Sequence, residues 1–178
     1  MNVSLVEVKK NHMKAVIEIL QSISDYRPDE KDHDQIWDAF QSQTNYFGLV
    51  ALDEKIDVVG YGSIFIERKI RGGKMGHIED IAVHPDFCKK GIGKLLINAL
   101  YQISQEEKCY KVSLACKENN LSFYQKCDFV KSGISLSKFF EWRVKEFKRL
   151  LPNVLYHLII NISWTNLSIY LIISFEKS

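Results

Sequence analysis

The chain has 178 residues, 46% of them hydrophobic and 26% charged, which fits one soluble domain large enough to bury a core. Its 24 Lys and Arg against 22 Asp and Glu give a net charge of +2, too small to argue for a nucleic-acid partner. Cys88, Cys109, Cys116 and Cys127 form no C-x-x-C pair and have no histidine at zinc-ligand spacing, and the N-terminus lacks an apolar leader; reduced thiols, no metal and a cytoplasmic location are expected.

Met13, Val16, Ile17, Leu20 and Ile23 recur at helical spacing and predict an amphipathic helix over residues 12–24. A shorter helix carries Ile36, Trp37 and Phe40. Tyr46 to Leu52 and Val58 to Ile66 are β-rich runs joined by a polar segment, which predicts a hairpin, and a second hairpin connection contains Gly72 and Gly73. Ile78 to Val83 is a central strand that Pro85 ends, because proline cannot donate to a ladder. Ile92, Leu95, Leu96, Ala99, Leu100 and Ile103 then form a core-facing helical stripe. Lys111 to Cys116 reads as a strand, Leu121 to Cys127 as a short helix, and Phe129 opens a further strand. The order implies a mixed α/β sheet built largely by hairpins.

From about residue 141 the chain changes character. Residues 141–151 look like a basic amphipathic helix, Pro152 breaks it, and Val154 to Phe175 is 22 residues without a formal charge. That stretch is long enough to span a bilayer, yet His157, Asn161, Ser163, Thr165, Asn166 and Ser168 suit a lipid-facing helix poorly. Three readings stay open: a membrane segment, an extra packed or dimer element, and a non-native tail. The division expected is a domain over 1–140 and an atypical extension over 141–178.

The run Gly76-His-Ile-Glu-Asp-Ile-Ala-Val83 leads into Lys89, Lys90, Gly91, Ile92, Gly93 and Lys94, a strand feeding a glycine loop that opens a helix. Successive N–H groups and a helix start make such a loop a cradle for an anion. A Walker A loop would need Ser or Thr after Gly93-Lys94, where Leu95 stands, and a dinucleotide fingerprint would need glycine at Leu96. A bound pyrophosphate remains, or a plain strand-to-helix turn.

The loop from Cys88 to Gly93 resembles the acyl-CoA pyrophosphate loop of the GNAT acetyltransferases, with Cys88 where Gln or Arg is usual. Asn119 to Phe129 resembles that superfamily's Asn-containing helix, with Asp128 in place of glycine. Within the superfamily, Gly76 to Val83, Gly93 to Ile97, Cys109 to Lys111 and Phe123 to Cys127 together resemble the glucosamine-6-phosphate N-acetyltransferases. The likeness covers residues 1 to about 140. It implies the GNAT fold, a central, mostly antiparallel sheet flanked by helices; acetyl-CoA as co-substrate without a metal; and a homodimer with sites at the subunit boundary.

By the same resemblance, the backbone of Ile81, Ala82 and Val83 pairs with pantetheine. The loop residues Lys89 to Lys94 and Asn119, Gln125 and Lys126 complete the coenzyme site, and Tyr124 protonates the leaving thiolate. A phenol with an ordinary pKa of about 10 suits that task. Glu79 and Asp80 are expected to bind the sugar and orient its amine. Strand alternation sets them on opposite faces, so at most one points into a given cleft. Lys69, Lys138 and Ser24 are substrate candidates, the first two for the phosphate. Ala115 occupies the family's acidic position beside the amine, leaving its carbonyl as acceptor. Two other readings are kept: an acetyltransferase of another small or protein amine, and a CoA-binding module without catalysis.

Overall fold

In the computed structural model of the chain, residues 2–55 and 57–138 are described; the helix and uncharged stretch expected beyond 140 lie outside them. The chain divides into two compact units, Met1–Gly133 and Ile134–Ser178.

The first unit is organised by a five-stranded sheet whose strands follow chain order: β1 (Ser4–Glu7), β2 (Tyr46–Leu52), β3 (Val58–Arg68), β4 (Lys74–Val83) and β5 (Cys109–Ser113). β1 to β4 pair antiparallel. β4 and β5 run parallel, because α3 (Ile92–Glu106) carries the chain back between them, the crossover that a parallel pair requires. β2 begins and ends where its apolar run does, and the β3–β4 connection passes through Gly72 and Gly73 at φ of 87° and 85°.

α1 (Met13–Leu20) and α2 (His33–Gln41) cover one face of the sheet. There Val16 joins Val8, Val50, Leu52 and Tyr61, with Trp37 and Phe40 packed against them. α3 covers the other face, setting Ile92 and Leu96 on Ala51 and Val59, and Leu100 on Ile64 and Ile78. Burying that many aliphatic side chains, at about 1.5–3 kcal/mol each, is what holds helix and sheet together.

Three expectations change. β1 is unforeseen because Leu5 packs toward α3 and Val6 toward α1, so the run lacks the apolar–polar alternation of a half-exposed strand. Leu95 is exposed, and Ile97 lies in the core with Ile92, Leu96, Leu100 and Ser104. The strand expected from Phe129 is not formed in residues 129–138, where Val130, Ile134 and Leu136 are exposed. A strand needs a neighbour to take its backbone bonds, and none of the described strands pairs with this segment.

Candidate active site

β3 and β4 pair Gly60 with Val83 and Tyr61 with Ala82, then Ser63 with Glu79, so Asp80 and Ile81 together oppose Gly62. This is a β-bulge, and Asp80 absorbs it with φ of 55°, a left-handed conformation that aspartate tolerates better than most residues. Beyond the bulge Ile81 points to the α3 face, where its Cδ1 would lie 2.6 Å from a Cβ placed on Gly62. The Asp80 carboxylate points the other way. It borders a cavity of about 210 Å³ beneath α1 and α2 that is otherwise lined by apolar and aromatic side chains, Trp37, Tyr46 and Tyr61 among them.

Both carboxylates therefore act on one group. Burial, and after it the charges of Asp80 and Glu79, pushes the Tyr46 phenol up. Glu79 and Asp80 share a face of the sheet, which corrects the expectation of opposite faces: the bulge inserts one residue into the period of two on which that expectation rests. Burial raises the pKa of each, and for Glu79 the neighbouring Asp80 charge adds to it.

Ser63 holds the bulge. It is fully buried, and its hydroxyl donates to the Glu79 carbonyl at 3.2 Å. With its proton so committed, the 3.0 Å bond between Tyr46 Oη and Ser63 Oγ is donated by the tyrosine. The buried hydroxyl thus gives the Glu79 carbonyl a donor at the point where the register shifts.

On its other side β4 separates from β5. Their pairing runs from Lys74 with Cys109 to His77 with Ser113 and stops, although β4 continues to Val83. The edge over Ile81, Ala82 and Val83 thus keeps backbone groups free of β5, in the position of a strand awaiting a partner. It leads directly into the glycine loop. Lys89 has φ of 60° and Gly91 φ of 86°, and Gly91 precedes α3 without any side chain capping the first turn. Left-handed residues in a tight loop turn neighbouring N–H groups toward one point, and the uncapped helix start adds its own. Lys89, Lys90 and Lys94 are exposed around this concavity, Lys90 lying 4.7 Å over the Phe87 ring. Cys88, in place of a family Gln or Arg, makes only weak thiol bonds to the carbonyls of Val83 and His84, at 3.9 and 3.6 Å.

α4 (Leu121–Gln125) closes the loop from above, since Gly93 lets Phe123 approach to where a Cβ would be 3.1 Å from its Cζ. Tyr124 stacks edge-on against Phe123 and Phe129, at centroid distances of 5.0 and 6.3 Å. Burial pushes its phenol up, with Cys116 and Cys127 nearby, so it keeps its proton at neutral pH. Asn119, Gln125 and Lys126 are exposed around the same short helix.

The remaining candidates are dispersed. Lys69 is ion-paired with Glu67, whose carboxylate also meets His77 Nε2 at 2.9 Å. Those two partners hold the Glu67 carboxyl below its usual value. Ala115 is exposed just beyond β5. Ser24 accepts a bond from the Tyr26 N–H at 3.2 Å in the loop after α1, and Lys138 is an exposed residue of the second unit. Among the described residues no hydrogen bond or ion pair joins Ser24 to Glu79 or Asp80.

An open strand edge running into an uncapped helix start, with a tyrosine above and two carboxylates behind, suits a donor carrying a pyrophosphate and an acceptor carrying an amine. The sequence profile of the acetyltransferase (GNAT) family matches residues 13–129. The chain belongs to the GNAT acetyltransferase family. It is similar to glucosamine 6-phosphate N-acetyltransferase 1 of Dictyostelium discoideum, 36% identical over 128 residues that cover 70% of this chain and 82% of that one. It is similar to the glucosamine 6-phosphate N-acetyltransferase of Schizosaccharomyces pombe, 39% identical over 99 residues, 54% of this chain and 89% of the other. In three dimensions it resembles the crystal structure of the glucosamine-6-phosphate N-acetyltransferase of Arabidopsis thaliana, with a TM-score of 0.74 and 27% identity over 79% of this chain and 99% of that one.

GNAT acetyltransferases use acetyl-CoA as co-substrate, and the residues present fit it: the free β4 edge suits an extended amide chain, and the Lys89 to Gly93 loop suits a pyrophosphate. Two features that sequence reasoning left uninterpreted are Ser63 and Tyr46, which fix the bulge, and His77 with Ser113 at the point where β4 and β5 part. His77 lies inside the run Gly76 to Val83 and was the one signal available for them.

Proposed function

We propose that this GNAT protein transfers the acetyl group of acetyl-CoA to the amine of D-glucosamine 6-phosphate, giving N-acetyl-D-glucosamine 6-phosphate for UDP-N-acetylglucosamine synthesis, as a cytoplasmic homodimer. One observation carries the acceptor side: the Asp80 bulge presents two carboxylates on one face of β4, where a hydroxylated amine can be held by several acceptors at once. The names of the relatives supply the sugar phosphate. Four unpaired cysteines support a reducing compartment, and the outer edge of β5, which no described strand pairs with, supports a second copy as partner.

Bound acetyl-CoA supplies an acetyl thioester. The N–H groups along Ile81 to Val83 orient that group and polarise its carbonyl, while the Lys89 to Lys94 loop, with Asn119, Gln125 and Lys126 nearby, holds the pyrophosphate end. Tyr124, which keeps its proton, donates a hydrogen bond to the departing sulfur. Glu79 and Asp80 hold the sugar, with the Ala115 carbonyl facing the amine and Lys69, Ser24 and the partner subunit's Lys138 serving its polar groups. Lys69 keeps its position through Glu67.

Mixing the purified chain with acetyl-CoA and glucosamine 6-phosphate should release free thiol, followed by a colorimetric thiol reagent, and yield the N-acetyl sugar. Thiol release no faster than in buffer, under conditions where another amine is acetylated, would assign the acceptor elsewhere.

A further inference from the structure

Acetyl transfer requires an amine that has lost its proton, and the acidic side chain that the family resemblance places beside the amine is Ala115 here. The structure offers another acceptor for that proton. His77 Nε2 lies 2.9 Å from Glu67 Oε2, and His77 Nδ1 lies 3.4 Å from Ser113 Oγ. Glu67 is kept ionised by its pairing with Lys69 and so can only accept, which fixes the proton of an imidazole with a single N–H on Nε2. Nδ1 then carries the lone pair, and Ser113 must be the donor to it.

Ser113 is the last β5 residue registered with β4, directly opposite His77, so its hydroxyl stands where the two strands part. His77 is two residues before Glu79 on the same strand face, and the two are within electrostatic reach of each other. The charged groups around the imidazole are Glu67 and, through it, Lys69 from β3 and the loop after it, and Glu79 from β4. β5 brings the neutral Ser113, with Lys111 two residues earlier, and Phe65 covers the ring at 6.2 Å.

We propose that Ser113, His77 and Glu67 form a relay that takes the proton from the acceptor amine. The amine nitrogen gives its proton to Ser113 Oγ as the hydroxyl proton moves to His77 Nδ1, leaving a neutral amine and an imidazolium paired with the Glu67 carboxylate. No co-reactant is needed, and the charges balance. The 3.4 Å link is long for a hydrogen bond, as such links are in ligand-free active sites before substrate tightens them. His77 acts through Ser113, so it is a positioning and proton-storing residue. The inference rests on the acetyltransferase reading above and adds the route of the proton.

The test uses the full chain with acetyl-CoA and an amine panel that includes glucosamine 6-phosphate. His77→Gln keeps an amide able to bond both neighbours and cannot take up a proton; Ser113→Ala breaks the link while leaving His77 on Glu67; Ser113→Thr restores the hydroxyl. The expected result is a fall in kcat on the order of 100-fold for His77→Gln and Ser113→Ala, recovery in Ser113→Thr, and unchanged acetyl-CoA binding. The kcat–pH profile should lose its acidic limb in His77→Gln. Long-range proton–nitrogen NMR of the ligand-free chain should find His77 with its proton on Nε2. Wild-type rates and pH profile in both variants overturn the relay, and so does a proton found on Nδ1. Should the panel yield a different amine in place of glucosamine 6-phosphate, the acceptor assignment falls and the same variants judge the relay with that amine. Should no amine be accepted, the tautomer decides.

Discussion

Gly93 of α3 and Phe123 of α4 are in such close contact that a methyl group on the glycine would stand 3.1 Å from the phenylalanine Cζ. The glycine that ends the Lys89 to Gly93 loop thus also sets the height of the helix that carries Tyr124, whose ring lies 5.0 Å from that of Phe123. Phe123 is partly exposed and can yield, and alanine favours a helix over glycine by about 1 kcal/mol, so Gly93→Ala should melt at or slightly above the wild-type temperature. Its turnover should nonetheless fall on the order of 10-fold, because a small displacement of the tyrosine misplaces its hydroxyl. Calorimetry together with initial rates checks both halves.

Gly91→Ala should behave differently. Nothing lies within 4 Å of a Cβ at this position, but its φ of 86° strains any L side chain, at about 1–2 kcal/mol. The loop should either lose that stability or abandon its concave shape. A lower melting temperature accompanied by a raised KM for acetyl-CoA, with the KM for the amine unchanged, is the expected pattern.

Tyr124→Phe keeps the ring that packs between Phe123 and Phe129 and removes only the hydroxyl. Turnover should drop on the order of 100-fold with acetyl-CoA affinity and stability unchanged. Because burial raises the Tyr124 pKa, the donor should persist through the alkaline range, and any loss of rate from its ionisation should begin above about pH 10. Equal rates in the two proteins would remove the hydroxyl from the mechanism.

Asp80→Asn separates stability from activity. Burial raises the Asp80 pKa, so as pH rises the unfolded chain ionises this group before the folded one does. The stabilisation of the fold is complete below the unfolded-state pKa and is lost as pH climbs through the folded-state value, leaving a charge at neutral pH that opposes folding. Asparagine tolerates the same φ of 55°. The variant should therefore melt higher than wild type at neutral pH, with the gain shrinking below about pH 4, and bind the amine substrate poorly.

Ser63→Ala leaves the Glu79 carbonyl without its buried donor, a loss of about 1–3 kcal/mol. If the hydrogen bond holds the bulge, the KM for the amine should rise while that for acetyl-CoA stays put, and Ser63→Cys should recover part of the loss. A parallel rise in both constants would indicate general loosening instead.

Much of this was readable in the residues. β2 could be bounded from its apolar run, α3 from its stripe, and the loop before α3 from its glycines; each of these is local, written by periods of two or 3.6 and by turn chemistry. The errors arise wherever tertiary neighbours decide. Leu95 and Ile97 exchanged places because a stripe two residues wide can rotate on its helix until packing against Ile64 and Ala51 chooses the angle. β1 was overlooked because both its faces are covered, and the segment after Phe129 was misjudged because a strand exists only if another strand takes its hydrogen bonds.

The sequence by itself determined the mixed α/β class, the glycine loop that opens α3 and the likeness to one acetyltransferase family, since these reside in short contiguous runs. Only the tertiary structure decided that Glu79 and Asp80 share a face, that β4 leaves β5 after His77, and that Glu67, His77 and Ser113 meet. The reason is physical: a bulge is a disagreement in length between two strands, and a hydrogen-bonded chain across β3, β4 and β5 depends on register, neither of which any single strand carries in its own residues.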